Sequence, residues 1–295
     1  MQSADFLSAV FFYPKEGETL NQNWIVENLN NAFSTWNGKL GELWGLVTTS
    51  PQTFKGGAVW SVMQTLHNGM VGIGYALVVL FFAISLCKNT MNFHELKRPE
   101  AAIHYLIRFV AAKALVSYGM DIMLNVFSIC NGIVTDMADS MGGISEAMVS
   151  LPAEMQTAIE NVGFLASIPL WLVTILGSLF ITVLSFVMIL TVYGRFFRLY
   201  MYTALAPLPL AAFAGESTQS VGISFLKSYV GVCLEGAVIV LACVIYSAFV
   251  GTPTVTGGEA TTIVWSYLAE TVFNMLVLVG LIKGSDRIIH EMMGL

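Results

Sequence analysis

The fold class is decided by one stretch of the sequence, NVGFLASIPLWLVTILGSLFITVLSFVMILTVYG, which runs from Asn161 to Gly194 without a single Asp, Glu, Lys or Arg. A second uncharged window extends from Gly56 to Cys87. The hydrocarbon core of a bilayer is about 30 Å thick and is crossed by about 20 residues of helix. Both windows are longer than that, and we therefore predict that each contains a transmembrane helix.

The composition of the whole chain agrees with a membrane location. Of its 295 residues, 56% are hydrophobic and 11% are charged, whereas average soluble domains have about 45–50% apolar and about 25% charged residues. A soluble fold of this size needs a more highly charged surface to remain in solution. The sequence therefore predicts an all-α, polytopic membrane bundle in which much of the outer surface faces lipid.

Five segments are predicted to cross the membrane, and a sixth apolar run is predicted to enter it without crossing. The sixth run, residues 199–224, contains Pro207 and Pro209, and proline interrupts a helix because it lacks a backbone N–H and clashes with the preceding turn. We predict a re-entrant or half-membrane hairpin here, with a kinked full span as the alternative. The five full spans of this transmembrane domain, residues 63–295, are predicted at 64–86, 106–128, 164–192, 226–249 and 263–282.

Residues 1–62 are polar enough to lie outside the bilayer and are predicted to form an extracytoplasmic N-terminal region. Within them, apolar side chains recur at helical spacing and mark one face of an amphipathic helix. We expect this helix to lie on the membrane surface or on a neighbouring subunit, and packing on the chain's own transmembrane bundle is an equal alternative. The apolar positions are Ile25, Leu29, Phe33, Trp36, Leu40, Leu43 and Val47.

The basic residues of the loops predict the orientation of the chain, because short cytoplasmic loops are enriched in Lys and Arg. Lys97 and Arg98 mark the first connection as cytoplasmic, and Lys283 and Arg287 put the C-terminus on the same side. The loop at 129–160 has no Lys or Arg and is predicted to be extracytoplasmic. The N-terminus is then outside the cytoplasmic (inner) membrane, and this arrangement requires an odd number of spans.

Charged residues within or beside the spans are the candidate functional residues, because a charge in a membrane helix usually faces a bundle interior or a water-filled cavity. Glu235 and Glu270 lie in consecutive predicted spans, where they could together form a proton or cation site. They could equally pair with Arg108, Lys113 or Lys227 and lock the bundle. Near helix ends the alternative is snorkelling towards the interface. The candidate channel or substrate-path residues are Arg108, Lys113, Asp121, Arg195, Arg198, Pro207, Pro209, Lys227, Glu235 and Glu270.

The sequence contains no constellation typical of catalysis or of metal binding. The histidines do not cluster at ligand spacing, and the four cysteines form no C-x-x-C pair. There is no H-E-x-x-H zinc motif and no Walker P-loop. The chain is therefore not expected to be an enzyme, and no cofactor is expected, with a structural phospholipid as the one small molecule left open.

One block of the sequence resembles a known family. Gly194-Arg195-Phe196-Phe197-Arg198-Leu199 is followed by Ala204-Leu205-Ala206-Pro207-Leu208, by Phe225-Leu226-Lys227-Ser228-Tyr229 and by Glu235. These motifs resemble the core signature of TrbL-like polytopic inner-membrane channel subunits of type IV secretion (conjugation) systems, in the versions found in Gram-positive conjugative elements. Outside this block the resemblance lies in the layout of the regions, and the short central loop departs from the larger family members.

The resemblance implies a membrane channel or hub subunit that helps to translocate relaxase-bound single-stranded DNA or protein across the cytoplasmic membrane. It further implies a homo-oligomeric ring, for which a pentamer is one arrangement, among membrane lipids and with other secretion-system components, including cytoplasmic ATPases. In such a ring Arg195 and Arg198 could form a positive collar for phosphates, or could only set topology and bind anionic lipid. The alternatives are a stand-alone transporter or ion channel that uses Glu235 and Glu270, and a non-conducting scaffold.

Overall fold

A computed structural model of the chain describes residues 22–90, 99–140, 148–162, 164–249 and 260–294. These residues are almost entirely helical and contain no β-strand, so the all-α prediction is confirmed. A 3-10 turn, Phe54–Gly57, precedes α2, and another, Ala212–Ala214, follows α7. The helices are α1 Gln22–Thr48, α2 Ala58–Thr90, α3 Pro99–Ser117, α4 Gly119–Ser140, α5 Ala153–Glu160, α6 Phe164–Leu205, α7 Pro207–Ala211, α8 Gln219–Phe249 and α9 Ala260–Met293.

Among the described residues, four helices are long and apolar enough to cross a membrane, and the polytopic prediction is thereby confirmed. A fifth crossing results if the bent pair Ile103–Ser117 and Gly119–Ser140 is counted as one span. Four of the five predicted spans therefore coincide with long apolar helices, and the remaining one coincides with the bent pair. The four candidate spans are Phe54–Lys88, Ser167–Leu205, Gln219–Phe249 and Thr262–Met293.

The predicted second span, 106–128, is not one straight helix. The chain bends by 72° between α3 and α4, at the sequence Ser117-Tyr118-Gly119. Serine and glycine pairs are a common cause of sharp helix kinks, and the Ser117 hydroxyl here donates to the carbonyl of Lys113 at 2.8 Å. Hydropathy could not reveal this bend, because the side chains on both sides of it are similarly apolar.

The proline-containing run differs from its predicted boundaries. Helix α6 continues to Leu205, so the irregular backbone begins at Ala206 rather than at residue 199. Helix α7 has Pro207 at its first position. The N–H that proline lacks would have no acceptor within α7 itself, so proline is well tolerated at this position. Because α8 begins at Gln219, residues 206–218 form a short helix and a turn between two long helices. We call these residues the broken segment, and its re-entrant character stays a prediction.

The chain divides into two compact units. The first consists of Met1–Trp44, Gly143–Thr191 and Ala242–Lys283, and the second of Gly45–Gly142, Val192–Leu241 and Gly284–Leu295. The broken segment, Arg195, Arg198 and Glu235 all belong to the second unit.

The apolar stripe of α1 is buried within the chain itself. Trp24 packs on Trp171 of α6 with the ring centroids 5.7 Å apart, and Phe33 packs edge-on against Tyr267 of α9 at 6.4 Å. The stripe therefore packs on the chain's own helices, and the position of α1 relative to the membrane surface or to a neighbouring subunit stays a prediction. Exposure is 3% or less for Ile25, Leu29, Phe33, Trp36, Leu40, Leu43 and Val47.

Replacing Leu29 with alanine tests this position of α1. Leu29 is fully buried, so we expect Leu29→Ala to lower the free energy of unfolding by about 2–5 kcal/mol. The measurement is the unfolding transition of the purified protein in detergent. Asn30→Ala is the matched control, because Asn30 is exposed on the same helix. Equal stability of the two variants would contradict burial of the stripe.

Candidate functional site

The broken segment lies in the hydrophobic core of the second unit. Gly74 of α2 permits its close approach, since a Cβ added to Gly74 would lie 3.0 Å from Cβ of Pro207 and 2.9 Å from a methyl carbon of Val116. Gly74 falls well inside the candidate span Phe54–Lys88, so α7 packs against one of the candidate spans. The core residues are Val78, Ala112, Val116, Met123, Phe127, Cys130, Leu199, Ala206, Leu210, Ala211, Ala214, Tyr229, Val232 and Cys233.

Arg195 is fully buried and donates hydrogen bonds to three backbone carbonyls. Its Nε donates to Val232 at 3.2 Å and its Nη2 to Cys233 at 3.0 Å, both on α8. Its Nη1 donates to Val47 at 3.3 Å, in the last turn of α1, where carbonyls lack helical partners and a cation is favoured. Arg195 therefore ties α1 and α6 to α8. The positive collar predicted for phosphates does not fit this buried residue.

Glu235 is a buried carboxylate that has both a cation and a hydroxyl as partners. It is 1% exposed, and Nη2 of Arg198 lies 2.7 Å from each of its oxygens. The hydroxyl of Ser285 donates to Oε1 at 3.1 Å, and Nη1 of Arg198 donates to Asp286. Buried charges are tolerated when they are paired and hydrogen-bonded. This ionic cluster therefore compensates the charge of Glu235 and joins α6, α8 and α9.

The predicted partnership of Glu235 with Glu270 stays a prediction, since Glu270 belongs to the first unit and Glu235 to the second. Glu235 is buried against Arg198, whereas Glu270 is exposed. The predicted alternative partners differ, since Arg108 lies 3.8 Å from Glu216 in the broken segment. The remaining predicted charges, Lys113, Asp121 and Lys227, are exposed, and their part in a substrate path stays a prediction.

Sequence reasoning missed two members of the ionic cluster, Ser285 and Asp286. Both follow the predicted end of the last span at residue 282, but α9 continues to Met293. The sequence contained a signal for this, because Asp286 and His290 are four residues apart. In the structure Nε2 of His290 lies 3.6 Å from Oδ1 of Asp286. Residues four apart share one face of a helix, which indicates that the helix extends through this region.

A groove of about 440 Å³ lies beside the ionic cluster. Its lining is apolar apart from Arg198, which therefore borders both the groove and the cluster. The volume is within the range of about 300–1,000 Å³ that is typical of ligand pockets. Of the two prolines predicted as site residues, Pro209 lines the groove and Pro207 is buried. The apolar lining residues are Met201, Tyr202, Leu205, Leu208, Pro209 and Phe225.

Together these features define a polytopic helical membrane protein with a compensated ionic cluster beside a proline-broken helix. A family model described as TrbL/VirB6 plasmid conjugal transfer like protein matches residues 36–207. The match covers more than half of the 295-residue chain, and the chain belongs to this family. No curated protein and no solved structure matches the chain.

The predicted resemblance to TrbL-like subunits is confirmed by this match, which contains the motif at 194–199 and ends at Pro207. Within that motif Phe196 stacks on Phe54 with ring centroids 4.1 Å apart, and Leu199 lies in the core of the second unit. Glu235 is outside the matched region, yet it is the partner of Arg198 inside it.

A methyl group added at Gly236 tests the position of Arg195. The new Cβ would lie 2.8 Å from the guanidinium carbon and from both terminal nitrogens of Arg195, so the side chain must move away from its carbonyl partners. We expect Gly236→Ala to lower the free energy of unfolding by about 1–3 kcal/mol. Gly194→Ala is the control, because an added Cβ there meets nothing within 4 Å, and it should be neutral or slightly stabilising.

Breaking the ion pair tests whether the cluster holds the second unit together. Arg198→Gln leaves Glu235 buried without its cation, and we expect a loss of about 3 kcal/mol in the free energy of unfolding. The double variant Arg198→Gln/Glu235→Gln should lose less than the sum of the single variants. The control is Arg287→Gln, which breaks the exposed 2.8 Å pair with Glu291 and should have no measurable effect. Additive losses would mean that the two charges do not stabilise each other.

Proposed function

We propose that this protein is a channel or hub subunit of a conjugative type IV secretion system, which helps to translocate relaxase-bound single-stranded DNA or protein across the cytoplasmic membrane. Membership of the TrbL/VirB6 family supports a membrane component of conjugal transfer. The observation that carries the finer proposal is the packing of the broken segment against one of the candidate spans at Gly74.

Irregular backbone at membrane depth is tolerated only where protein covers it or where it lines a water-filled cavity. In transporters, broken helices of this kind mark the path of the substrate. In this protein Pro207 is buried, whereas Leu208 and Pro209 line the groove. We therefore assign the groove side of the broken segment to the substrate path of the assembled machine.

In this proposal the ionic cluster does not act as a positive collar that binds phosphates. The positive charge of Arg198 is compensated by the carboxylates of Glu235 and Asp286. Its attraction for an anionic substrate is therefore weak. The cluster instead holds α6, α8 and α9 around the end of the broken segment. Positioning, rather than phosphate binding, is the contribution that the geometry of this subunit supports.

The proposed subunit acts in an assembly. Many large apolar side chains are exposed on the described helices, and such surface is covered by lipid or by neighbouring chains. We propose a homo-oligomeric ring that associates with other secretion-system components, including cytoplasmic ATPases. The orientation with the N-terminus outside, and a structural phospholipid, are parts of the same proposal.

The hypothesis of a stand-alone transporter rested on Glu235 and Glu270 in consecutive spans. In the structure Glu235 is held in an ion pair and Glu270 is exposed, so these two residues do not favour that function. A non-conducting scaffold differs from a channel subunit in one measurable respect, which is contact with the substrate in transit.

The test is transfer of the conjugative element by a deletion strain, followed by crosslinking to the DNA in transit. We expect deletion of the gene to abolish transfer without affecting growth, and the wild-type gene to restore it. A photo-crosslinking residue at Leu208 should then capture single-stranded DNA, whereas one at Ile129, which is exposed on α4, should not. Normal transfer by the deletion strain would reject the proposal, and loss of transfer without crosslinks along the groove would favour the scaffold.

A further inference from the structure

Pro207 interrupts the hydrogen-bond ladder at the end of α6. In an α-helix the carbonyl of residue i accepts from the N–H of residue i+4, so the carbonyl of Thr203 would pair with residue 207. That residue is proline and has no N–H to donate. Thr203 is buried, where water is not readily at hand as a substitute, and a buried carbonyl without a donor is destabilising.

A histidine from another helix supplies a donor at this point. Nδ1 of His67, on α2, lies 2.7 Å from the carbonyl oxygen of Thr203. Because a carbonyl oxygen can only accept, Nδ1 carries the hydrogen and donates it. His67 is 2% exposed and lies 136 residues away from Thr203 in the sequence.

The adjacent Cε1–Nε2 edge of the same imidazole faces the other irregular point of the second unit. A Cβ added to Gly119 would lie 3.5 Å from Cε1 and 3.8 Å from Nε2 of His67, and 3.2 Å from a methyl carbon of Leu210. Gly119 begins α4, directly after the 72° bend. The ring of His67 therefore fits between the end of α6 and the bend between α3 and α4.

We infer that His67 is a positioning residue, which replaces the amide donor that Pro207 lacks and so holds the broken segment in its place. A role as a metal ligand has no support, because the described residues contain no group of three or more His, Cys, Asp or Glu that could hold a metal ion. Its importance for transfer rests on the proposed function, since the segment that it holds is the one assigned to the substrate path.

The hydrogen bond is tested by restoring the missing donor. Pro207→Ala returns an N–H to position 207 and keeps the Cβ that approaches Gly74. We expect His67→Ala to lower the midpoint of thermal unfolding of the purified protein in detergent. In the Pro207→Ala background the same substitution should lower it by less than half as much. Equal shifts in the two backgrounds would overturn the inference, because His67 would then act only by packing.

Two further variants cover the case in which His67→Ala does not fold. The double variant His67→Ala/Pro207→Ala should then fold, because the backbone amide serves Thr203, and its failure to fold would also overturn the inference. His67→Asn keeps a side-chain N–H near the position of Nδ1 and should retain most of the wild-type midpoint. His104→Ala, at an exposed histidine on α3, is the control and should leave the midpoint unchanged.

Transfer provides a second, separate measurement. We expect His67→Ala to reduce the transfer frequency at least tenfold and His67→Asn to restore it to within threefold of the wild type, at matched protein levels in the membrane. Wild-type transfer by a folded His67→Ala variant would overturn the positioning role. If the deletion strain itself transfers normally, the proposed function fails, but the unfolding measurements on the purified protein still decide whether His67 serves Thr203.

Discussion

The ion pair between Arg198 and Glu235 is the interaction on which the second unit depends. A carboxylate that is 1% exposed is stable in the interior of a membrane protein only with a cation and further donors around it. Arg198 and Ser285 meet that requirement, and they do so from two other helices. The need to compensate one buried charge therefore fixes how the neighbouring parts of α6, α8 and α9 lie against each other.

The same requirement explains the other irregular features of this unit. Arg195 donates to carbonyls of α8 and to the last turn of α1, and His67 donates to the carbonyl that Pro207 leaves without a partner. In each case a buried polar group finds its partner in another part of the sequence, where water would be the partner in a soluble protein. A broken helix is thus compatible with a buried position, because the protein itself provides the missing partner.

These contacts also change the view of how a family member could assist transfer. In the proposed function, arginines beside a substrate path would suggest electrostatic attraction of DNA, but Arg195 and Arg198 are occupied by internal partners. The groove beside them is lined by apolar side chains from both sides of the broken segment. Within the proposed function, these contacts therefore favour shaping a substrate path over binding phosphates tightly.

The sequence by itself determined the membrane fold, because charge-free windows and helical periodicity follow directly from the length and polarity of a span. It also carried the family signature, and it predicted both boundaries of the proline break to within seven residues. It could reveal that α1 has an apolar stripe, but not which surface covers it. The partners of Glu235, the donor for Thr203 and the bend at Ser117–Gly119 were decided only by the tertiary structure. The physical reason is that hydropathy and periodicity report the surroundings of a residue along its own helix, whereas these interactions join residues that are distant in sequence and are selected by the need to satisfy buried polar groups.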